Sequence, residues 1–314
     1  MHIPRPAFYW PDLILSACVG WVSFGYAAAR PVSIATPIFG TVAVLALYRA
    51  LCFLHEISHI KRSALSGFET TWNLLAGFPL LMPSFMYVGV HQAHHSLSSY
   101  GTSGDPEYLP FARSRGMTVV FALESFLIPA ALLVRFLVVG PLSLLIPRLQ
   151  RWLARHASAL TMNLAYRREV TPELMRKIRR DTALLLLLWA VAAALLPMRV
   201  FVTWFAVVSA ASFLNTLRTL AAHRYESEGG PLDREGQLRD SVDVPGRLWT
   251  ELWAPVGLRY HALHHYFPGI PYHNLAAAHR RLRAALPPDS SYCTTRSASL
   301  YRALHGLIAG KARD

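Results

Sequence analysis

The sequence predicts an all-α integral membrane protein forming a single domain over residues 1–314: four transmembrane helices in two hairpins, interfacial helices, and a cytosolic helical cap that holds a di-metal site. Three observations carry this expectation. Of the residues 53% are hydrophobic and only 16% charged, with mean hydropathy +0.30, where a soluble domain carries about a quarter charged residues. The apolar residues come in blocks near the ~20 residues that span hydrocarbon. Histidines gather at helical spacing just beyond those blocks, as metal ligands at a membrane surface would.

The first apolar block, 13–29, ends at Arg30-Pro31, and the second, 32–54, runs straight into His55. Together they read as a hairpin. A third block, 74–90, leads into His91 and contains Pro79 and Pro83. A single crossing there would put His55 and His91 on opposite sides, which converging ligands forbid, so the block is expected to be re-entrant or interfacial. The stretch 117–147 is broken by Pro129, Arg135, Gly140 and Pro141. A charge in mid-span is costly, so this stretch is expected to lie at the interface. The second hairpin is read as 183–197 and 200–217, turning at Pro197-Met198-Arg199. The cap then comprises 55–180 and 218–314.

Of the 31 Lys and Arg, only Arg30 and Arg199 fall in the far-side turns. The positive-inside rule makes the histidine face cytoplasmic, with both termini and the active site on that side. Met1–Pro11 is proline-rich and nearly uncharged, a poor signal peptide. Cys18, Cys52 and Cys293 form no CxxC pair, so neither a disulfide framework nor a thiolate metal site is supported.

The chemistry is carried by three patterns: His55-Glu56-Ile57-Ser58-His59, His91-Gln92-Ala93-His94-His95 and His261-Ala262-Leu263-His264-His265. On a helix, residues at i, i+3 and i+4 share a face, so each triple is expected to aim three imidazoles at one point. Eight imidazoles exceed the three protein ligands of a catalytic zinc. Two metal ions fit better, and imidazole suits iron where the task is oxygen chemistry. His223, just past the last apolar block, is a ninth candidate. HExxH taken alone is also the zincin motif, with glutamate as general base. That reading, an intramembrane zinc metalloprotease, leaves both histidine triples as surplus. With two metals, Glu56 and Asp105 become candidates for orienting ligand imidazoles through hydrogen bonds. Glu107 follows in the same turn-rich loop. His2, His156, His273, His279 and His305 match no ligand spacing and read as surface or packing residues.

HxxxH, HxxHH and a distant HxxHH at cytoplasmic ends of apolar blocks resemble the membrane fatty-acid desaturases and related hydroxylases, over about residues 32–279. The resemblance implies four transmembrane helices beneath a cytosolic cap with two irons. Carried over residue by residue, it makes His55, His59, His91, His94, His95, His261, His264 and His265 the ligands, with His223 matching the family's additional histidine. In the acyl-CoA branch an asparagine lies four residues before that histidine; here the position is Thr219. Tyr100-Gly101-Thr102 and Asp105-Pro106-Glu107-Tyr108 look instead like bacterial branches, which implies the bacterial inner membrane and an acyl-like or amino-acid-derived substrate.

The implied activity is that of an oxidoreductase using O2 as co-substrate and two Fe ions. It would introduce a C=C bond into an acyl chain, with hydroxylation as the alternative outcome. No flavin, haem, iron–sulfur or dinucleotide motif is present, and three scattered cysteines cannot hold a cluster that needs four. Electrons are therefore expected from a separate ferredoxin or cytochrome b5 type protein. The run Arg176–Arg180 is the expected docking surface. A nucleic-acid partner is not expected, because the formal charge of +13 falls on a face that meets anionic lipid.

Overall fold

The computed structural model describes residues 1–30 and 33–309, and among these the fold is all-helical, with isolated β-bridges only. The expected boundaries at Pro31 and Val32 lie outside the described residues. Four helical stretches are long and apolar enough to cross a membrane: Pro6–Ala29, Ala35–His59, Arg115–Leu145 and Met198–Ala222. The protein is an integral membrane protein. Large side chains such as Val22, Ile38, Leu187, Val191 and Val202 point outward, a band of apolar surface that only lipid would cover.

The first two helices pack closely along their length. Gly20 makes this possible, since a Cβ there would lie 2.6 Å from the Leu47 side chain. The helix Ala35–His59 runs on past the apolar block, so His55 and His59 are its last turn.

The segment after it descends again and returns, as the converging ligands require. Phe68–Trp72 is α-helical, Asn73–Gly77 is a π-turn, and the chain climbs back through Ser84–Met86 to Val90–His94. Backbone groups that leave a helix inside hydrocarbon must be satisfied by protein. Here tryptophans do it. The indole N–H groups of Trp21, Trp189 and Trp204 donate to the carbonyls of Leu75, Phe78 and Pro79 at 2.7, 3.0 and 2.9 Å. Asn73 closes the loop by accepting from the Ser84 N–H at 2.8 Å. Arg168 caps its return by donating to the carbonyls of Phe85 and Val88.

The second hairpin is an open V. Pro172–Leu195 and Met198–Ala222 meet near their turn, where Trp189 and Trp204 pack edge to face at 4.9 Å. Pro172–Leu195 is not among the four stretches long and apolar enough, because its first half carries Arg176, Lys177, Arg179, Arg180 and Asp181. Only its second half matches the expected span 183–197.

The run Arg115–Leu145 has the length of a span, where interfacial packing was expected. Its neighbours show how it lies. Phe126 stacks on Phe213 at 4.9 Å, and Gly140 sits against the methyl of Thr182. At 1.5 Å per residue, Phe213 and Thr182 are about 24 and 21 Å from the hairpin turn. Residues 126 and 140 are therefore at similar depth although about 21 Å apart along the helix. The run bridges the open arms of the V and does not follow them. Its Arg135, at the awkward mid-helix position, donates to the Ala157 carbonyl at 2.7 Å.

Candidate metal centre

The nine candidate histidines come together, and they sort into two groups. His55, His59, His91, His95 and His264 form one, and His94, His223, His261 and His265 the other, with one nitrogen per residue within 4.8 Å of the others in its group. Each HxxHH triple is thus divided, where the spacing argument aimed it at a single point. The reason is angular. Residues i and i+4 are offset by about 40° around the helix, whereas i+3 falls about 60° to the other side. So His91 and His95 enter the first group and His94 the second. His261 and His265 enter the second and His264 the first. The two boxes interdigitate, and neither group can form without both.

Ring nitrogens face one another across short gaps: His91 to His95 at 3.0 Å, His95 to His264 at 3.1 Å, His94 to His223 at 3.2 Å, His223 to His261 at 2.8 Å and His261 to His265 at 3.0 Å. Two nitrogens at right angles and each about 2.1 Å from one ion would sit about 3.0 Å apart. Burial first, and neighbouring imidazoles after it, hold His91, His95, His223, His261, His264 and His265 well below the usual histidine range. Burial thus favours their neutral form, and a neutral imidazole has one proton to share. Protons cannot fill all these gaps, and the buried nitrogens of His55 and the Nε2 of His59 have no hydrogen-bond partner at all. Lone pairs converging in a dry site fit a pair of cations.

Carboxylates stand behind selected imidazoles. Asp105, fully buried, meets His94 Nδ1 at 2.9 and 3.0 Å. It also accepts from the backbone N–H of Gly101 and Glu107, at 3.0 and 2.9 Å, which folds the loop around it. Burial lowers the affinity of His94 for protons, but Asp105 outweighs it, and the His94 pKa is raised. That bond would keep the proton on Nδ1 and leave Nε2 free to hold a metal. Glu107 does the same for His91 at 2.7 Å, with Tyr87 bonded to both; burial pushes its carboxyl up to about 7.

Glu56 is placed differently from the expectation. Its carboxylate is taken by the Tyr9 hydroxyl and by the Tyr272 N–H at 3.0 Å, and it lies 3.9 Å from His55 Nδ1, beyond hydrogen-bond reach. One residue on from His55, it is turned about 100° around the helix, toward Tyr9 of the first transmembrane helix. A general base aimed at a metal-bound water is not what this geometry offers, and HExxH here is half of a five-histidine group.

Several supporting residues had no signal in the sequence. Tyr100 bonds His223 Nδ1 and Asp240 at 2.8 Å each. Asp243, also fully buried, accepts from the N–H groups of Ala262 and Leu263 at 2.8 and 3.2 Å, so it fixes the start of the third box. Asp240 and Asp243 stand far from any box in sequence and show no ligand spacing. Of the five remaining histidines, His273 stacks on Phe8 and His156 on Trp152. His279 is bonded to Tyr292 at 2.6 Å and lies 3.3 Å from Asp243, one layer behind the centre.

Two comparisons bear on this architecture. A family model described as "Fatty acid desaturase" matches residues 31–297. A protein of Caulobacter vibrioides (strain NA1000 / CB15N) described as "Ceramide hydroxylase" is 43% identical over 313 residues, covering 97% of this chain and 89% of the relative. With the family model matched across all three histidine boxes, the chain belongs to the fatty acid desaturase family, as a membrane-bound oxidoreductase of lipid metabolism.

Proposed function

We propose that this protein is a di-iron hydroxylase acting on a ceramide-type sphingolipid. The observation that carries the reading is the 43% identity to a ceramide hydroxylase over nearly the whole of both chains. It reverses the order expected from the sequence, where desaturation led and hydroxylation was the alternative. The nine histidines are the metal-holding residues, and bound iron would supply the redox chemistry that activates dioxygen. The overall reaction balances as R–H + O2 + 2 e⁻ + 2 H⁺ → R–OH + H2O. The chain's own task is to hold neutral imidazoles in place, to keep water out, and to set one carbon of the substrate against the centre. Positioning, not the ligand set, separates oxygen insertion from loss of a second hydrogen.

Membrane orientation belongs to the same proposal. The first hairpin and the second, 183–195 with Met198–Ala222, cross the inner membrane, and 68–90 dips in and returns. The histidine centre then lies on the cytoplasmic side with the basic residues. Electrons come from a separate carrier protein on that side.

The test is direct. Purified, iron-loaded protein in lipid nanodiscs is given a ceramide, oxygen and a reductant, and products are read by mass spectrometry. A product one oxygen atom heavier is expected, absent from the His264→Ala variant. A product lighter by two hydrogen atoms would restore the desaturase reading.

A further inference from the structure

Behind His223 a cleft of about 420 Å³ opens on the cap, lined among others by Ala112, His223, Arg224, Arg296, Arg302 and Leu307. From this cleft we infer that an acidic one-electron carrier docks over Arg296 and Arg302 and that electrons enter the centre through the His223 ring.

His223 has two faces. Its Nε2 joins the four-histidine group, 2.8 Å from His261 and 3.2 Å from His94, and the residue, its side chain only 3% exposed, is also among those that line the cleft. A single residue therefore lies between a candidate ligand position and the cleft. The ring is also held still. Tyr100, itself bonded to Asp240, meets Nδ1 at 2.8 Å.

The mouth is cationic. Arg296 and Arg302 are exposed, and neither forms an ion pair among the described residues. Arg224 adds a third guanidinium, pinned by its bond to the Thr294 carbonyl at 2.8 Å, and among the described lining residues Glu226 is the single acid. The rim is tied to the centre by backbone: Arg296 bridges to Asp243, the residue that holds the third histidine box.

The run Arg176–Arg180, where docking was expected, is a weaker candidate. Arg176 pairs with Glu173 at 3.0 Å, Lys177 with Asp181 at 2.8 Å and Glu69 at 3.1 Å, and Arg180 with Asp181 at 2.7 Å. Its charge is largely answered from within, and its groove includes the apolar Ile57, Leu74, Phe78 and Leu184. An acidic partner gains most where guanidinium groups are exposed and unanswered.

This inference rests on the oxygenase reading only for its need of electrons. Two carriers each lose one electron per turnover; one oxygen atom enters the substrate and the other leaves as water with two protons. The carrier is of the iron–sulfur or haem class with an acidic face.

The test uses a plant-type [2Fe–2S] ferredoxin with the full-length protein in nanodiscs. Binding is measured by interferometry without substrate, so it can succeed even if hydroxylation is never seen. Arg296→Glu with Arg302→Glu should weaken binding on the order of tenfold at low salt, with little difference left at high salt. The ratio of ferredoxin-driven to dithionite-driven turnover should fall in step. Arg176→Glu with Arg180→Glu should change neither. The milder pair Arg296→Gln with Arg302→Gln should give a smaller loss of the same kind, which separates docking from misfolding. Equal losses in the 176/180 and 296/302 pairs, or unchanged binding in the latter, would overturn the proposal. So would unchanged ferredoxin binding with lost affinity for phosphatidylglycerol vesicles, which would make the cleft a lipid site.

Discussion

The two histidine groups share one ligand chemistry but are held in different ways. The five-histidine group is anchored from below: His55 and His59 end a membrane helix, so the depth of that helix sets their height. Of its five imidazoles, only His91 has a carboxylate within hydrogen-bond reach among the described residues. The four-histidine group draws on cap residues and on the end of the last span. There His94 rests on Asp105, His223 on Tyr100 and Asp240, and the helix of His261 and His265 starts on Asp243. The group with fewer imidazoles has more acid behind it. Carboxylates there can fix ring orientation where membrane helices do not, and can offset part of the charge of an ion with one fewer nitrogen donor.

The largest effect should come from removing a donor. His223→Ala leaves three imidazoles in its group, whereas His59→Ala leaves four in the other. Both should abolish turnover, but His223→Ala should retain only about one iron per chain and His59→Ala more than that, because affinity follows the donor count. Equal iron content in the two variants would break the distinction between the groups.

Next come the acids. Asp105→Asn should lower metal affinity or turnover by about 10–100-fold, the usual range for a residue orienting a ligand. Glu107→Gln should fall at the low end of that range, since Tyr87 still bonds His91 at 2.8 Å. Iron titration of both variants checks the ranking. A Glu107 variant worse than the Asp105 variant would mean that the five-histidine group depends on its single acid more than its anchoring suggests.

Glu56→Gln should cost about 1–3 kcal/mol of stability through its buried partners while iron and turnover persist. Thermal denaturation and activity together decide this. Complete loss of turnover with iron retained would return Glu56 to the role of general base. The smallest perturbation is topological: single cysteines at Ser98 and at Arg199, in a background lacking Cys18, Cys52 and Cys293, should label from opposite sides of the membrane. Labelling of Ser98 from the outside would contradict the proposed cytoplasmic placement of the two groups.

Much of the site was legible because its signals are local. Helical spacing marks His55 and His59, His91 to His95, and His261 to His265, and the ends of apolar blocks place them at one surface. His223 has no spacing partner and was found from its place beyond the last span and from the family pattern. Asp105 and Glu107 stood out only because they follow the second box in a turn-rich loop. Asp240 and Asp243 were invisible, since a carboxylate that orients an imidazole needs proximity in space and no period in the chain.

The sequence by itself determined the all-helical membrane class, the nine histidines and the return of 74–90 to the side it came from, because hydropathy and helical period are properties of neighbours along the chain. Tertiary structure decided the rest. It divided each HxxHH triple between two groups, since the angular offset of i+3 matters only when a second box faces the first. It laid Arg115–Leu145 across the arms of a V, where the sequence had led only as far as an interfacial stretch. It turned Glu56 from the centre to Tyr9 and Tyr272, whose hydroxyl and backbone N–H, respectively, arrive from distant parts of the chain. These outcomes depend on which surfaces meet, and a linear pattern holds no information on that.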